Sequence, residues 1–169
     1  MFDDDGKGYI VYGTGEIMQL NDDLTDVVEG SHHILFKRDK TETNLLEGSR
    51  MIKHNGKYYL QYGAPGTEFK VYADGVYVSD NPLGPFVYQK HNPMSYKPGG
   101  YVQGSGHGGT FRDVNGNYWH VSTCMLSLKY KFERRIGLYP TAFDSDDVMY
   151  SSAAFGDYPN LNALSDIKD

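Results

Sequence analysis

Glu47 occupies the position in this sequence that is best suited to acid–base chemistry. It follows an apolar Leu-Leu pair and precedes a short predicted strand, an Asn55-Gly56 turn and an aromatic strand that begins near Tyr58-Tyr59. This order predicts a β-hairpin that begins at Glu47. A carboxyl group there can face a cleft and transfer a proton. A solvated loop Glu is the other interpretation, because charged side chains are mostly exposed.

His107 is the second candidate, because glycines surround it. The run is Gln103-Gly104-Ser105-Gly106-His107-Gly108-Gly109-Thr110-Phe111. Glycines let the backbone approach other groups closely, so we expect tight turns to hold this histidine near the centre of the fold. A structural core histidine is the alternative. One histidine alone is a poor ligand set for a hard cation, which prefers oxygen.

Two other polar runs favour a structural interpretation. Asp3, Asp4 and Asp5 precede Gly6, where aspartate side chains usually bond to the backbone of a turn. They are therefore left out of the predicted catalytic set. The pair His32-His33 has no partner at a spacing typical of a metal site.

Composition limits the function classes. The chain has 169 residues, enough for one domain, and a formal net charge of -6. No run of Lys and Arg is present, which argues against a nucleic-acid surface and favours a neutral partner. Cys124 is the single cysteine and is expected to be a small core residue. No window approaches 18 apolar residues, so we expect no membrane partner.

Aromatic strands and repeated turns predict an all-β fold. Five short segments are rich in aromatic and β-branched residues and are bounded by turn residues. They are residues 9–12, 57–62, 76–79, 118–122 and 136–139. The turn signals Asp5-Gly6, Asn55-Gly56 and Asn115-Gly116 recur at intervals of 50 and 60 residues. That period is typical of β-propeller blades.

The Glu47 segment resembles the general-acid segment of glycoside hydrolase family 43. The likeness rests on Leu45-Leu46-Glu47-Gly48-Ser49 and the strand–turn–strand after it, with Ser49 where the family usually has Pro. The segment from Val76 to Phe86 resembles the family's next strand, its Pro/Gly turn and the return strand. The resemblance implies a five-bladed β-propeller that cuts arabinose- and xylose-containing glycans. At about 50 residues per blade, this chain would hold about three to four blades.

The resemblance also implies the catalytic roles. Glu47 corresponds to the general acid, while the base is an Asp of the first blade and a further Asp orients the acid. The run from Phe2 to Lys7 matches a family segment that lies just after this further Asp. Residues 1–169 are therefore expected to form a single partial propeller catalytic domain that lacks the first blade and the start of the second.

Further site residues follow from the same resemblance. His107 would point into the central channel, where it would contact substrate or a structural Ca²⁺ held largely by water. No cofactor is required. The strand Glu133–Pro140 resembles one from which an Arg reaches the substrate, and because strand neighbours face opposite sides we choose Arg135 over Arg134. The run from Phe155 to Pro159 is expected to close the last blade or to cap the cleft.

These features predict an inverting glycoside hydrolase acting on arabinose- or xylose-containing plant glycans. The isolated chain is expected to be weakly active or inactive without the base. A non-catalytic sugar-binding domain and an interaction scaffold are the alternatives. Open sheet edges would pair with an N-terminal portion or with a second copy. The resemblance implies a periplasmic or secreted location, although the N-terminus lacks a signal-peptide pattern.

Overall fold

Short aromatic and β-branched segments pair into three antiparallel sheets, each of blade size. The computed structural model describes residues 1–35, 47–100, 102–126, 130 and 132–153. In this part of the chain the regular structure is all β. No helix in it is long and apolar enough to cross a membrane. The predicted closing run from Phe155 to Pro159 lies outside the described residues.

The sheets follow one another along the chain. The first contains β1 (Tyr9–Tyr12), β2 (Glu16–Gln19) and β3 (His33–Ile34). The second contains β4 (Glu47–His54), β5 (Lys57–Ala64), β6 (Ala73–Ser79), β7 (Val87–Tyr88) and β8 (Ser95–Tyr96), which pairs with β6. The third contains β9 (Gln103–Arg112), β10 (Tyr118–Met125), β11 (Arg134–Phe143) and β12 (Met149–Ser151). Consecutive antiparallel sheets of this size are the repeat of a β-propeller.

The predicted strands are confirmed, although most are longer than the sequence pattern indicated. The five predicted segments lie within β1, β5, β6, β10 and β11. The prediction of tight turns around His107 is wrong, because the glycine-rich run lies inside β9. This strand keeps its pairing with β10 through register shifts, which absorb the unusual backbone angles that the glycines permit.

The three hairpin turns differ in construction. At Asn55-Gly56 both residues have positive φ, 48° and 75°, as a two-residue hairpin requires. At the other two turns only Gly6 and Gly116 have positive φ. Those turns begin with an aspartate: the Gly116 amide bonds to the Asp113 carbonyl, and Gly6 bonds to Asp3 in the same way. The prediction of two-residue hairpin turns is therefore correct at Asn55-Gly56 and wrong at the other two turns.

Apolar residues fill the spaces between adjacent sheets. One cluster joins the first and second sheets around Ile17, Leu60 and Tyr77. Another joins the second and third sheets around Tyr59, Val76 and Met149. Cys124 is buried with Tyr139 in a third cluster, as predicted. The aromatic content thus serves packing between sheets, where large flat side chains bury the most area.

A buried polar network crosses the same boundary between the second and third sheets. Asp74 of β6 and His120 of β10 are fully buried, and Asp74 Oδ2 lies 2.8 Å from His120 Nε2. His120 Nδ1 is 3.0 Å from the Thr110 hydroxyl, which donates to Gln61 Oε1 at 2.8 Å. The Gly108 amide also donates to Asp74 Oδ2. Burial raises the pKa of Asp74, while the bonds from His120 and the backbone oppose that rise.

Asp3 links the first hairpin to the second sheet. Its carboxylate accepts hydrogen bonds from Lys53 Nζ at 2.5 Å and from the Tyr58 hydroxyl at 2.8 and 2.7 Å. It also accepts the Asp4 amide, which is the turn role predicted from sequence. Burial pushes the pKa of Asp3 up, but these hydrogen bonds outweigh it and bring the pKa below its usual value.

Replacing His120 with Leu should strongly destabilise the fold. The change leaves the buried Asp74 Oδ2 without its bond to His120, and an unsatisfied buried polar group typically costs about 1–3 kcal/mol, more when it is charged. Urea unfolding at neutral pH measures the loss. His33→Leu removes an exposed histidine and should leave the unfolding midpoint nearly unchanged. Equal losses of unfolding free energy in the two variants would contradict a stabilising role for the Asp74–His120 contact.

The contribution of Asp3 to stability should depend on pH. Because the folded-state pKa is lower than the unfolded value, the ionised carboxyl stabilises the fold above about pH 4, and this stabilisation is lost as pH falls through the folded pKa. The difference in unfolding free energy between the wild type and Asp3→Asn should be constant from pH 6 to 8 and shrink below about pH 4. A difference that does not change down to about pH 2.5 would refute this role.

Candidate active site

Glu47 is the first residue of β4 and lies where the backbone departs from regular pairing. It pairs with Gly63 of β5, and the register shifts before Arg50. The irregularity lies at Gly48, which has a positive φ of 66°. A Cβ at Gly48 would be 2.6 Å from the His107 ring. Glycine is therefore required here twice, for its backbone angle and for the space that His107 occupies.

Two side chains contact the Glu47 carboxyl. The Tyr72 hydroxyl donates to Glu47 Oε1 at 2.6 Å, and His107 Nδ1 is 3.5 Å from the same oxygen. Tyr72 is 1% exposed, whereas the Glu47 side chain is 35% exposed. Burial and the bond to Glu47 raise the pKa of Tyr72 above its usual value, so its hydroxyl is a donor at neutral pH.

His107 is held in a backbone conformation that is unusual for a non-glycine residue. Its φ is +54°, inside strand β9. The next amide, of Gly108, is fixed by its hydrogen bond to the buried Asp74. A Cβ at Gly63 would lie 2.7 Å from the His107 backbone nitrogen, so β5 and β9 approach closely here. Strain of this kind persists only where the surroundings impose it, and such positions cluster at functional sites.

A cavity of about 600 Å³ lies beside these residues. It is formed where β4 and β9 meet β1 and β10. Its lining is Met1, Val11, Gly48, Ser49, Arg50, Met51, His107, Gly108, Gly109 and Val121. The volume is within the range of small-ligand sites. His107 therefore faces this cavity, next to the half-buried carboxyl of Glu47.

The described lining does not fit a calcium ion bound by protein ligands. Ca²⁺ takes six to eight oxygen ligands, usually including carboxylates. The cavity lining contains no carboxylate side chain and includes the cationic Arg50. The described residues also contain no group of three or more His, Cys, Asp or Glu side chains that could hold a metal. No chemical step is therefore assigned to a metal.

Arg135 has contacts of its own away from Glu47. Its guanidinium lies 3.0 Å from Glu133 and 2.9 Å from the Arg134 carbonyl, and its side chain is 56% exposed. The neighbouring Arg134 donates to the Thr67 hydroxyl at 3.1 Å. Burial raises the pKa of Tyr72, and the charge of Arg134 opposes that rise, so Arg134 lies within electrostatic reach of Tyr72. The choice of Arg135 as the residue that contacts substrate stays a prediction.

Other acidic residues serve the structure. Asp74 is fully buried, with Oδ2 bonded to His120 and Gly108, so solvent water does not reach its carboxyl. Asp3 is held by Lys53 and Tyr58. The exposed His32 pairs with Glu16 at 3.0 Å, which agrees with the predicted surface role of the histidine pair.

Three residues that shape the site were not predicted from the sequence, namely Tyr72, Asp74 and His120. His120 stands between Trp119 and Val121 in β10, and Asp74 lies near the start of β6, ahead of an apolar Val-Tyr-Val run. A polar residue inside such a strand is a usable signal, because burial requires a hydrogen-bond partner. The sequence around Tyr72 does not distinguish it from the other tyrosines, of which the chain has 15 in all.

Comparisons with known proteins point to one family. The model of glycosyl hydrolases family 43 matches residues 1–149. An arabinoxylan arabinofuranohydrolase of Paenibacillus polymyxa is 30% identical over 72% of this chain and 21% of that protein. A xylosidase/arabinosidase of Bacteroides ovatus is 49% identical over 29% of this chain and 14% of that protein. The chain thus spans about a fifth or less of the length of these relatives.

Solved structures agree with this result. An endo-1,4-beta-xylanase from Bacteroides thetaiotaomicron is 27% identical and superposes with a TM-score of 0.76, covering 90% of this chain and 56% of that one. A GH43 protein from Bacillus licheniformis has a TM-score of 0.77 at 24% identity, covering 89% of this chain and 30% of that one, which supports the fold. The described sheets are part of a family 43 β-propeller. The chain belongs to glycosyl hydrolase family 43.

Proposed function

We propose that this chain carries the general acid of an inverting glycoside hydrolase that acts on xylose- or arabinose-containing glycans. The observation that supports the proposal is the Glu47 carboxyl, half-buried at the start of β4, held by Tyr72 and next to the cavity that His107 faces. Family membership and the names of the relatives support the substrate class.

The proposed reaction uses two carboxyl groups. Glu47 donates its proton to the glycosidic oxygen while the bond from that oxygen to the anomeric carbon breaks. A base removes a proton from a water molecule, whose oxygen bonds to the anomeric carbon from the opposite face. We assign the base to a part of the family domain outside the described residues, because Asp74 and Asp3 are engaged in structural bonds. His107 and Arg135 are proposed to contact the sugar.

We propose that this reaction needs no cofactor. Proton transfer between carboxyl groups, water and substrate requires neither a redox group nor a metal. The partners that follow from the proposal are the carbohydrate itself and the rest of a family 43 domain, which would complete the propeller and supply the base.

Glu47→Gln should abolish hydrolysis. The purified 169-residue chain is assayed on an alkyl α-L-arabinofuranoside and an alkyl β-D-xyloside, whose leaving groups need protonation, alone and mixed with the polypeptide encoded upstream at its own locus. We expect activity on mixing, and a loss of about 10²–10⁴-fold in kcat for Glu47→Gln, because amide side chains cannot donate the required proton. Glu16→Gln, in β2, is the matched control and should retain activity, because Glu16 is equally half-buried but bonded to His32 and not to Tyr72.

Two results would contradict the proposed function. One is hydrolysis that is insensitive to Glu47→Gln. The other is binding of arabinoxylan without cleavage by the mixture, which would favour the non-catalytic sugar-binding alternative.

The first-formed sugar should have the opposite anomeric configuration to the substrate. In an inverting hydrolase water attacks from the face opposite the leaving group in a single displacement. Proton NMR during the first minutes of hydrolysis of a β-xyloside should therefore show α-xylose before the anomers equilibrate. Initial release of β-xylose would indicate retention and would overturn the inverting mechanism.

A further inference from the structure

The strongest unassigned feature near Glu47 is the buried hydroxyl of Tyr72. It lies 2.6 Å from Glu47 Oε1, within the range of a strong hydrogen bond to a carboxyl group. The His107 contact at 3.5 Å is to the same oxygen. Both contacts are therefore made to Oε1 of Glu47, whose side chain is about one-third exposed.

Two glycines from different sheets make room for the Tyr72 side chain. A Cβ at Gly106 of β9 would lie 2.7 Å from the ring. A Cβ at Gly63 of β5 would lie 3.0 Å from the hydroxyl. The Tyr72 amide bonds to the Phe69 carbonyl at 3.0 Å. The ring is thus enclosed by backbone on two sides, and its hydroxyl points at Glu47.

The protonation state of Tyr72 determines the direction of its hydrogen bond to Glu47. Burial and the Glu47 carboxyl raise the pKa of Tyr72, so the hydroxyl stays protonated. A protonated phenol donates its hydrogen to Oε1 whenever Oε1 lacks a proton. A proton on the Glu47 carboxyl is then placed on Oε2.

We infer that Tyr72 is a positioning residue for Glu47, because its hydroxyl occupies Oε1 and leaves Oε2 to carry the proton that is transferred. This inference rests on the proposed role of Glu47 as general acid. It adds a function for a side chain that is almost fully buried. Without the hydroxyl, the carboxyl would lose the bond that defines which oxygen is protonated and how the group is turned.

The test is a carboxyl titration by NMR of the 169-residue chain labelled with ¹³C at glutamate and aspartate side chains. Glu47→Gln assigns the Glu47 signal. In Tyr72→Phe the ring still fills its pocket, so the fold should be retained. The pH midpoint of the Glu47 signal should rise by about one unit, because the ionised form loses a hydrogen-bond donor.

Tyr58→Phe is the matched control. Tyr58 is also buried, and its hydroxyl donates to a different carboxylate, that of Asp3. This variant should raise the midpoint of the Asp3 signal and leave that of Glu47 unchanged. The pair of variants thus separates a specific effect on the bonded carboxyl from a general effect of losing a buried hydroxyl.

An unchanged Glu47 midpoint in Tyr72→Phe would overturn the inference, since a residue that only packs would not alter this titration. The measurement needs no hydrolysis, so its result is independent of the activity assay. A raised midpoint together with an absence of hydrolysis would support the Tyr72–Glu47 coupling and count against the proposed function alone.

Discussion

The buried contact between Asp74 and His120 is the interaction on which the candidate site depends. It joins β6 of the second sheet to β10 of the third, and the same Asp74 oxygen accepts the amide of Gly108. A buried carboxyl is costly without bonds, so the two bonds to Asp74 Oδ2 favour this arrangement of the two sheets. That arrangement fixes the backbone immediately after His107.

Two adjacent blades therefore contribute residues to the candidate site. The second sheet supplies Glu47, Tyr72 directly precedes its strand β6, and the third sheet supplies His107 on an irregular strand. Gly48 leaves the space in which the histidine ring meets the carboxyl. A carboxyl at the start of a strand, supported by a rigid sheet behind it, is well placed for proton transfer because its supports do not have to reorganise.

Local patterns predicted much of this architecture. The hairpin after Glu47 could be predicted because an Asn-Gly turn between aromatic strands is a short-range signal, and both of its residues have the positive φ that the turn requires. The glycines around His107 were misleading, since glycine permits turns and irregular strands equally. The partners of Glu47 and Asp74 could not be predicted, because Tyr72 and His120 reach them across 25 and 46 residues of chain and the pairing depends on how sheets pack.

Whether Glu47 donates a proton to the departing oxygen can be measured from the way the hydrolysis rate depends on the acidity of the leaving group. Xylosides with leaving groups of graded acidity are compared for the wild type and Glu47→Gln in the preparation that hydrolyses them. The account predicts a loss of at least about 100-fold for alkyl leaving groups and less than about tenfold for 2,4-dinitrophenol, which departs without protonation. An equal loss for all leaving groups would contradict the account.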